Sequence, residues 1–470
     1  MRAGAGCVAH RGRLSAVRRR ERGCLHNFRG VWLPHRIPDA APLPSQPDTE
    51  QHSLQSVGLS RKIKVGIVGA TGAVGQRFIS LLQGHPWFEV ALLGASPRSA
   101  GKPYGAAAKW QMTHDLPADI ASMKVVSCAP DAIADWSSDV DMVFSALDAS
   151  VAGDIESACL KAGVPVFTNA KNFRTHPAAP LVVPAVNAAH LQPSLAWQRQ
   201  HSIWGRLLGG SGDPAAQDAP PIIVTNANCS TTGLTIALAP LQQAFGLRSV
   251  HVTTMQAISG AGYPGVPAWD MASNLVPNIS GEEDKIHTEY RKIMGAAVPA
   301  EGVSLDAVLA AAGDASRGNA TPLVQPATFG VSAHTNRVPV LEGHTFTVTA
   351  SLASEASVEE VLAAFEAYAP GPAGVMEDLP STPREAGTGR PQWIQVRRET
   401  NRPQPAKDAA QGRGFTTVVG QVRRCPITPN GIKFTAVSHN TVMGAAGSSI
   451  LNAEACVRQG ILGPRPSTSP

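Results

Sequence analysis

The amino-acid sequence predicts an α/β fold in which a doubly wound parallel sheet is followed by an α+β part with a mixed β-sheet. Three observations support this prediction. Short apolar strands alternate with amphipathic helices between residues 62 and 168, a pattern typical of right-handed parallel sheets. A glycine-rich turn follows the first strand. After residue 229, long stretches partly alternate apolar with polar residues, as in an antiparallel or mixed sheet with one covered face.

The predicted elements of the first part run in chain order. A strand over 63–68 leads through a turn over 69–75 into an amphipathic helix that ends near residue 82. Further strands are predicted over 89–93, 125–127, 141–145 and 164–168, with a helix over 152–161.

A strand over 222–224 and a helix over 230–244 connect the two parts. A later helix over 357–367 can begin with a capping box formed by Ser357 and Glu360. The remaining predictions are strands over 250–258, 329–334, 345–352, 416–423 and 432–437, a polar loop over 401–414 and a last helix over 441–458.

Composition limits the class of protein. With 470 residues, of which 43% are hydrophobic and 16% charged, the chain can bury the cores of two domains. It contains no apolar run long enough to span a bilayer. Seven scattered cysteines without a C-x-x-C pair predict neither a metal site nor a disulfide scaffold. The net charge of +5 is concentrated in the first forty residues, so no nucleic-acid-binding surface is predicted.

Three segments differ from the rest of the chain. Residues 1–60 are rich in arginine, poor in acids and contain a proline-rich stretch, which is typical of a plastid or mitochondrial transit peptide. The alternative is a disordered extension on a cytoplasmic protein. Segments 196–220 and 296–322 are rich in Gly, Ala, Asp and Pro and are predicted to be insertions, although 303–312 can form a short helix.

The turn after the first strand has the spacing Gly-x-x-Gly-x-x-Gly and opens a helix. In this context glycines allow a tight turn and a close approach of backbone N–H groups to a pyrophosphate. The alternative is a turn that needs glycine only for its own backbone conformation. The predicted dinucleotide-binding residues of this turn are Gly69, Thr71, Gly72, Ala73, Val74 and Gly75.

Ser96, Arg98 and Ser99 follow the second predicted strand. An NAD-binding protein usually places an acidic residue there to hold the ribose 2′-OH. No acid is present at this point, and an arginine with two serines can donate to a 2′-phosphate. The sequence therefore predicts NADP rather than NAD, the alternative being a solvated basic loop.

Cys229 lies at the junction of the strand over 222–224 and the helix over 230–244. Unpaired N–H groups at the start of a helix favour negative charge, so a cysteine there is expected to have a lowered pKa and to be a good nucleophile. The alternative is a buried structural cysteine. Because Asn226, Asn228 and Ser230 surround it with polar groups, we predict a reactive thiol.

Together these motifs resemble the aspartate-semialdehyde dehydrogenases, in the branch typical of archaea and fungi. The resemblance runs from about residue 62 to residue 459. The strings that carry it are Gly-Ala-Thr-Gly-Ala-Val-Gly (69–75), Thr-Asn-Ala-Lys-Asn-Phe-Arg (168–174), Asn-Cys-Ser-Thr-Thr-Gly (228–233), Met-Gln-Ala-Ile-Ser-Gly-Ala-Gly-Tyr-Pro-Gly (255–265), Glu-Glu-Asp-Lys (282–285), Arg-Val-Pro-Val-Leu-Glu-Gly-His-Thr (337–345) and His-Asn-Thr-Val-Met-Gly-Ala-Ala-Gly (439–447).

The resemblance implies NADPH-dependent reductive dephosphorylation of L-4-aspartyl phosphate to L-aspartate 4-semialdehyde, a step toward lysine, threonine and methionine. It implies that Cys229 forms a thioester, that His344 is the general acid/base and that Gln256 orients the acyl group. The chemistry of these residue types agrees, because a thiolate is both a nucleophile and a good leaving group. Histidine titrates near neutrality, as proton transfer requires.

The resemblance also implies a substrate site with paired charges. Arg337 would hold the α-carboxylate and Glu282 the α-ammonium. Arg174 and Lys285 would bind the phosphoryl group, and Asn228 would lend an amide donor near the oxyanion or the phosphate. The alternative for these charges is a set of ordinary surface ion pairs.

By the same match, Ser259, Gly260 and Asn440 would contact the nicotinamide part of the cofactor. The predicted domains are an extension over 1–60, a Rossmann-like NADP-binding domain over 61–228 and 439–462, and a catalytic and dimerisation domain over 229–438. The predicted partners are a small-molecule substrate and phosphate, without nucleic acid or membrane, in a homodimer or homotetramer.

Other functions stay open at this level. A malonyl-CoA reductase, or another acyl-thioester or acyl-phosphate reductase of the same family, would share the Cys/His pair. An N-acetyl-glutamyl-phosphate reductase would not require Glu282 as an ammonium partner. A nucleotide-binding scaffold that has lost its chemistry is the non-enzyme alternative, although Cys229, Gln256 and His344 are all present.

Overall fold

The computed structural model describes residues 52–209, 220–313, 322–371 and 374–465. Most of the predicted N-terminal extension (1–51) and parts of the two predicted insertions (210–219 and 314–321) lie outside the described residues. Within the described ranges, no helix has the length and apolar character needed to cross a membrane.

The first sheet has seven strands in the order β3-β2-β1-β4-β5-β7-β6, all paired in parallel. This order places the carboxyl ends of β1 and β4 side by side, where doubly wound sheets bind their ligands. The strands are β1 Ile63–Val68, β2 Phe88–Ala95, β3 Val125–Ser127, β4 Met142–Ser145, β5 Val166–Thr168, β6 Leu181–Val182 and β7 Ile223–Asn226.

The helices of this part lie between the strands, as the sequence predicts. Asp148 caps the longest of them, α4, by accepting from the backbone N–H of Ser150. The helices are α1 Ala73–Leu82, α2 Tyr104–Ala107, α3 Ala118–Ser122, α4 Ala149–Lys161, α5 Pro184–Asn187, α6 Leu191–Gln200 and α7 Ile203–Leu208, with 3₁₀ turns at Gln55–Val57, Pro130–Asp135, Ser137–Asp139 and Ala188–His190.

The second sheet also has seven strands, in the order β14-β15-β16-β13-β8-β12-β9. It is mixed, because β8 and β12 pair in parallel, as do β14 and β15, while the other pairs are antiparallel. Its strands, with the separate ribbon β10–β11, are β8 Leu247–Gln256, β9 Val276–Pro277, β10 Ala296–Ala297, β11 Val324–Gln325, β12 Gly330–Arg337, β13 His344–Leu352, β14 Ile394–Arg397, β15 Thr417–Arg424 and β16 Gly431–Ser438.

Helix α8 (Cys229–Phe245) leads from β7 of the first sheet into the second sheet and packs against β13 and β16. At the end of the chain, a π-helical turn (Val442–Ala446) and α14 (Gly447–Arg458) return to β5 and β7. The other elements are α9 Ala268–Met271, α10 Glu282–Ile293, α11 Leu305–Gly313, α12 Val358–Glu366 and α13 Pro405–Asp408, with 3₁₀ turns at Ile258–Ala261, Ala300–Gly302 and Gln411–Gly414.

The structure confirms the predicted α/β class, and it shows the predicted capping box of α12, in which Ser357 and Glu360 bond reciprocally. The predicted insertion over 196–220 is mostly helical as far as residue 208, because it contains the end of α6 and all of α7. Trp197 and Trp204 are buried there, and Trp197 Nε1 donates to the carbonyl of Val303 at 3.0 Å. The described parts of the two predicted insertions therefore share one core, because their apolar residues cover each other.

Candidate active site

Cys229 is the first residue of α8, directly after β7 and a two-residue connection. Asn228 caps the helix, since its Oδ1 accepts from the N–H groups of Ser230 at 3.0 Å and Thr231 at 3.3 Å. Asn and Ser are favoured at this position because they satisfy backbone donors that have no partner within the helix. The cap fixes the backbone of the nucleophile turn.

His344, the first residue of β13, faces the sulfur. Its Nε2 lies 3.2 Å from Cys229 Sγ, and its Nδ1 accepts from the backbone N–H of Ala257 at 3.0 Å. Since an acceptor nitrogen carries no proton in neutral imidazole, we assign the ring proton to Nε2. The histidine thus presents an N–H group to the sulfur.

The expected lowering of the Cys229 pKa does not occur in this ligand-free site. Burial, aided by the Glu282 carboxylate, raises the pKa of the thiol to about 11, although Arg337, Arg174 and Lys285 act in the opposite direction. Burial and Arg337 likewise lower the pKa of His344 to about 3. Both groups are therefore neutral at rest.

Glu282 contacts several of the polar groups around the nucleophile. It begins α10 and accepts from Asn228 Nδ2 at 3.1 Å, Lys285 Nζ at 2.6 Å and Gln256 Nε2 at 3.4 Å. Burial acts to raise its pKa, but the ion pair with Lys285 and the hydrogen bonds from Asn228 and Gln256 hold the pKa below its usual value. Glu282 therefore stays ionised, and only 7% of it is exposed, which argues against a surface charge run.

Arg337, at the end of β12, completes this side of the cluster. Its Nη1 donates to the carbonyl of Ala257 at 2.7 Å. Gly260 lies against both Arg337 and His344, because a Cβ at this position would approach Arg337 Nη1 at 2.8 Å and His344 Cε1 at 3.0 Å. A side chain at Gly260 would displace the guanidinium or the imidazole, so glycine is required there.

Arg174 lies on the other side, where it lines a cleft of about 350 Å³ together with Lys171, Lys285 and Glu289. Its Nη1 pairs with Glu289 Oε1 at 2.9 Å and its Nη2 donates to the carbonyl of Asn169 at 2.7 Å. Among the described residues, its buried Nε has no hydrogen-bond partner. The structure thus brings Arg174 and Lys285 to one cationic cleft.

Glu289 was not identified from the sequence. A signal was present, because Glu289 follows Glu282 by seven residues and residues two helical turns apart share a face. The hydrogen bond from the backbone N–H of Ala257 to His344 could not be predicted from the sequence either, since any residue except proline can make a backbone contact of this kind.

The glycine turn lies at the carboxyl end of β1. Gly69 has φ +84°, and a Cβ at Gly75 would meet the Gly69 carbonyl oxygen at 2.4 Å. At the exposed N-cap Gly72, α1 begins without a side-chain cap, so its N–H groups can approach a pyrophosphate. Thr71, Ala73 and Val74 are half-buried at the same helix start. This cradle fits a dinucleotide.

The remaining predicted cofactor residues occupy two places. Ser96, Arg98 and Ser99 form the turn after β2, closed by the Ser99 N–H donating to the Ser96 carbonyl at 2.9 Å. These three residues lie at the edge of the first sheet and are not part of the cluster around Cys229. Asn440 Nδ2 donates to Ser259 Oγ at 2.8 Å, and Asn440 Oδ1 accepts from the Gly343 N–H at 2.9 Å. Asn440 therefore connects Ser259 with Gly343, the residue before His344.

Comparison with known families agrees with this geometry. The family model "Semialdehyde dehydrogenase, NAD binding domain" matches residues 64–194. The model "Semialdehyde dehydrogenase, dimerisation domain" matches residues 238–306 and 318–443. The chain thus contains both domains of a semialdehyde dehydrogenase, which are a nucleotide-binding part and a part through which subunits associate.

The chain belongs to the aspartate-semialdehyde dehydrogenase family. It is 43% identical over 404 residues to the enzyme of that name from Cryptococcus neoformans, covering 85% of this chain and 98% of the relative. It is 41% identical over 392 residues to that from Methanothermobacter thermautotrophicus, covering 83% and 98%. The crystal structure of the Candida albicans enzyme with NADP is similar, with a TM-score of 0.68, 37% identity and coverage of 85% and 100%.

Proposed function

We propose that the chain catalyses the NADPH-dependent reductive dephosphorylation of L-4-aspartyl phosphate to L-aspartate 4-semialdehyde. The observation that carries the proposal is the 3.2 Å approach of His344 Nε2 to Cys229 Sγ, inside a cluster whose charges complement an amino-acid acyl phosphate. Conversion of an acyl phosphate requires a nucleophile, an anion site and a hydride donor. The reaction belongs to the biosynthesis of lysine, threonine and methionine.

Cys229 forms the covalent intermediate. The thiol first gives its proton to a phosphoryl oxygen of the substrate, which serves as the base. The resulting thiolate attacks the acyl carbon, and the carbon–oxygen bond to phosphate breaks, so the proton leaves with the phosphate. The product of this step is a thioester on Cys229.

In place of the predicted general acid/base role of His344, this scheme makes the histidine a hydrogen-bond donor to negative charge. Taking up the thiol proton would put protons on both ring nitrogens, and Nδ1–H would then oppose the Ala257 N–H, 3.0 Å away. The geometry therefore favours Nε2–H donation to the sulfur and to the oxyanion of the thiohemiacetal. Collapse of the thiohemiacetal releases the aldehyde and a thiolate, which takes a proton from solvent.

The substrate's two charged ends meet opposite charges. Arg337 holds the α-carboxylate. Glu282, which its partners Lys285 and Asn228 keep ionised in spite of burial, accepts from the α-ammonium. Gln256, whose Nε2 lies 3.4 Å from Glu282 Oε2, would orient the acyl group. Arg174 and Lys285 bind the phosphoryl group in the cleft that they line, next to the Asn228 amide.

The cofactor supplies hydride to the thioester carbon. The turn Gly69–Gly75 would hold its pyrophosphate, and Ser96, Arg98 and Ser99 would hold a 2′-phosphate, which selects NADP. Ser259, Gly260 and Asn440 lie close to His344 through the contacts described above and would border the nicotinamide.

Assembly and location are part of the same proposal. A homodimer or homotetramer is supported by the match to a dimerisation domain. An organelle location is supported by the arginine-rich composition of residues 1–60. Sedimentation of the purified protein, and the N-terminal residue of the mature protein from its source, test the two statements.

A direct assay tests the proposed reaction. Purified protein is given NADP⁺, phosphate and aspartate 4-semialdehyde, and NADPH formation is followed at 340 nm, a standard cofactor absorbance. Malonyl-CoA with NADPH is the comparison. Phosphate-dependent NADPH formation without malonyl-CoA reduction is expected, and the opposite result would favour the acyl-thioester reductase.

A further inference from the structure

The Glu289 carboxylate joins the two halves of the candidate site. It is 3% exposed and lies two turns after Glu282 on α10. Its Oε1 accepts from Arg174 Nη1 at 2.9 Å, and its Oε2 accepts from the backbone N–H of Asn228 at 2.7 Å. One side chain therefore connects the cationic cleft with the residue before the nucleophile.

The same helix also holds the main chain around Arg174. Lys292 Nζ donates to the carbonyls of Arg174 at 3.0 Å, His176 at 3.0 Å and Ala179 at 2.6 Å. An ammonium group has three protons to donate, and each meets a carbonyl of this loop. Since Lys292 fixes the backbone, the direction of the guanidinium depends on its pairing with Glu289 and on the Asn169 carbonyl.

We propose that Glu289 is a positioning residue for the phosphoryl group, which sets the direction of Arg174 and its separation from the Asn228–Cys229 turn. This rests on the proposed function, because it assigns the cleft to phosphate. The role requires a carboxylate. A glutamine at 289 can accept from one of the two donors but turns its NH₂ group toward the other.

The kinetic test uses Glu289→Gln with Glu359→Gln as the matched control. Glu359 is an exposed carboxylate in the first turn of α12, outside the cleft, so it reports the effect of the same substitution away from the site. In Glu289→Gln, the KM for phosphate is expected to rise about tenfold, while the KM values for aspartate 4-semialdehyde and NADP⁺ stay within about twofold. Glu359→Gln should leave all three within about twofold. An equal rise in both variants, or an unchanged phosphate KM in Glu289→Gln, overturns the proposal.

A double-mutant cycle tests whether Glu289 acts through Arg174. If it does, Arg174→Gln/Glu289→Gln has about the same phosphate KM as Arg174→Gln alone, because the second change finds nothing left to orient. If the phosphate KM of the double variant instead rises by the product of the two single-variant increases, the proposal is contradicted. Should Glu289→Gln fail to fold, Glu289→Asp takes its place in the cycle, since it keeps the charge on a shorter side chain.

A binding measurement separates this proposal from the proposed function. Inorganic phosphate is expected to protect Cys229 from iodoacetamide in the wild type, with a midpoint about tenfold higher in Glu289→Gln. No turnover is needed for this readout. If the wild type shows protection but no reaction with aspartate 4-semialdehyde, the proposed function fails and the role of Glu289 stands. If phosphate gives no protection, or equal protection in both proteins, the role of Glu289 is refuted.

Discussion

The ring of His344 is oriented by the backbone of Ala257, whose N–H donates to Nδ1 at 3.0 Å. Because this contact occupies the nitrogen remote from the nucleophile, Nε2 carries the proton toward Cys229 Sγ. The pair at rest is therefore a thiol next to a neutral imidazole. This differs from the thiolate–imidazolium pairs found in many cysteine enzymes.

The first prediction concerns the pH dependence of Cys229 alkylation. With the thiol pKa raised to about 11 by burial, the thiolate fraction is small at pH 7. The rate of reaction with iodoacetamide should rise about tenfold per pH unit from pH 7 to pH 10, since only the thiolate reacts. Peptide mass spectrometry measures the rate. Cys425, whose pKa is lowered mainly by its hydrogen bond with Thr428, is the internal control and should level off at lower pH. A plateau for Cys229 near neutral pH would contradict the assignment.

The second prediction separates chemistry from cofactor binding. Cys229→Ala should abolish turnover, because no other group can form the thioester. The dissociation constant for NADPH, measured by fluorescence titration, should stay within about twofold, since the glycine turn after β1 does not include Cys229. Cys425→Ala, at a half-buried position just after β15, should keep full activity. Retained turnover in Cys229→Ala would remove the mechanism.

The third prediction uses two glycines of the same turn. At Gly75 an added Cβ would meet backbone atoms of Gly69 and Ala70 at 2.4–2.8 Å, whereas at Gly72 the nearest atom is at 3.5 Å. Gly75→Ala should therefore lower the unfolding temperature, measured by calorimetry. Gly72→Ala should fold as the wild type does and lose NADPH affinity, because a pyrophosphate approaches the exposed N-cap closely. Unchanged affinity in Gly72→Ala would place the pyrophosphate elsewhere.

The fourth prediction concerns the ion pair between α1 and the loop before His344. Arg77 Nη2 lies 3.2 Å from Glu342 Oε1, with side-chain exposures of 1% and 14%. Arg77→Met should lower the free energy of unfolding by about 3 kcal/mol, because removing one partner of a buried pair leaves a charge poorly compensated. Denaturant titration measures the change.

The exposed pair of Arg398 and Glu366, at 2.6 Å with exposures of 64% and 48%, is the control for this experiment. Arg398→Met should cost less than about 1 kcal/mol, because solvent screens the pair. Equal losses at the two sites would show that burial does not govern the strength of the Arg77 contact.

The sequence was sufficient for the order of most elements. Cys229 begins its helix as predicted, and Asn228, Gln256 and Lys285 contact Glu282. Arg174 instead pairs with Glu289. Local patterns can show the order of elements, because strand and helix periodicity, caps and glycine turns depend on near neighbours in the chain.

Long-range contacts explain what the sequence did not reveal. The raised pKa of Cys229 follows from burial and from Glu282, which is distant in the chain. The packing of the predicted insertion over 196–220 also depends on a distant contact, because Trp197 Nε1 donates to the carbonyl of Val303. The contact of Glu289 with Arg174 depends on the packing of α10 beside the loop that carries Arg174, so it could not be predicted from local patterns.

The chain crosses between its two sheets twice, at Asn228–Cys229 and again after Ser438, and the two crossings touch. Asn226 Nδ2 donates to the carbonyl of Ala445 at 3.0 Å, and a Cβ at Gly444 would come within 2.8 Å of the Cys229 Cβ. The returning segment therefore lies directly against the nucleophile. A larger residue at position 444 would press on Cys229 itself, although the two are far apart in the chain.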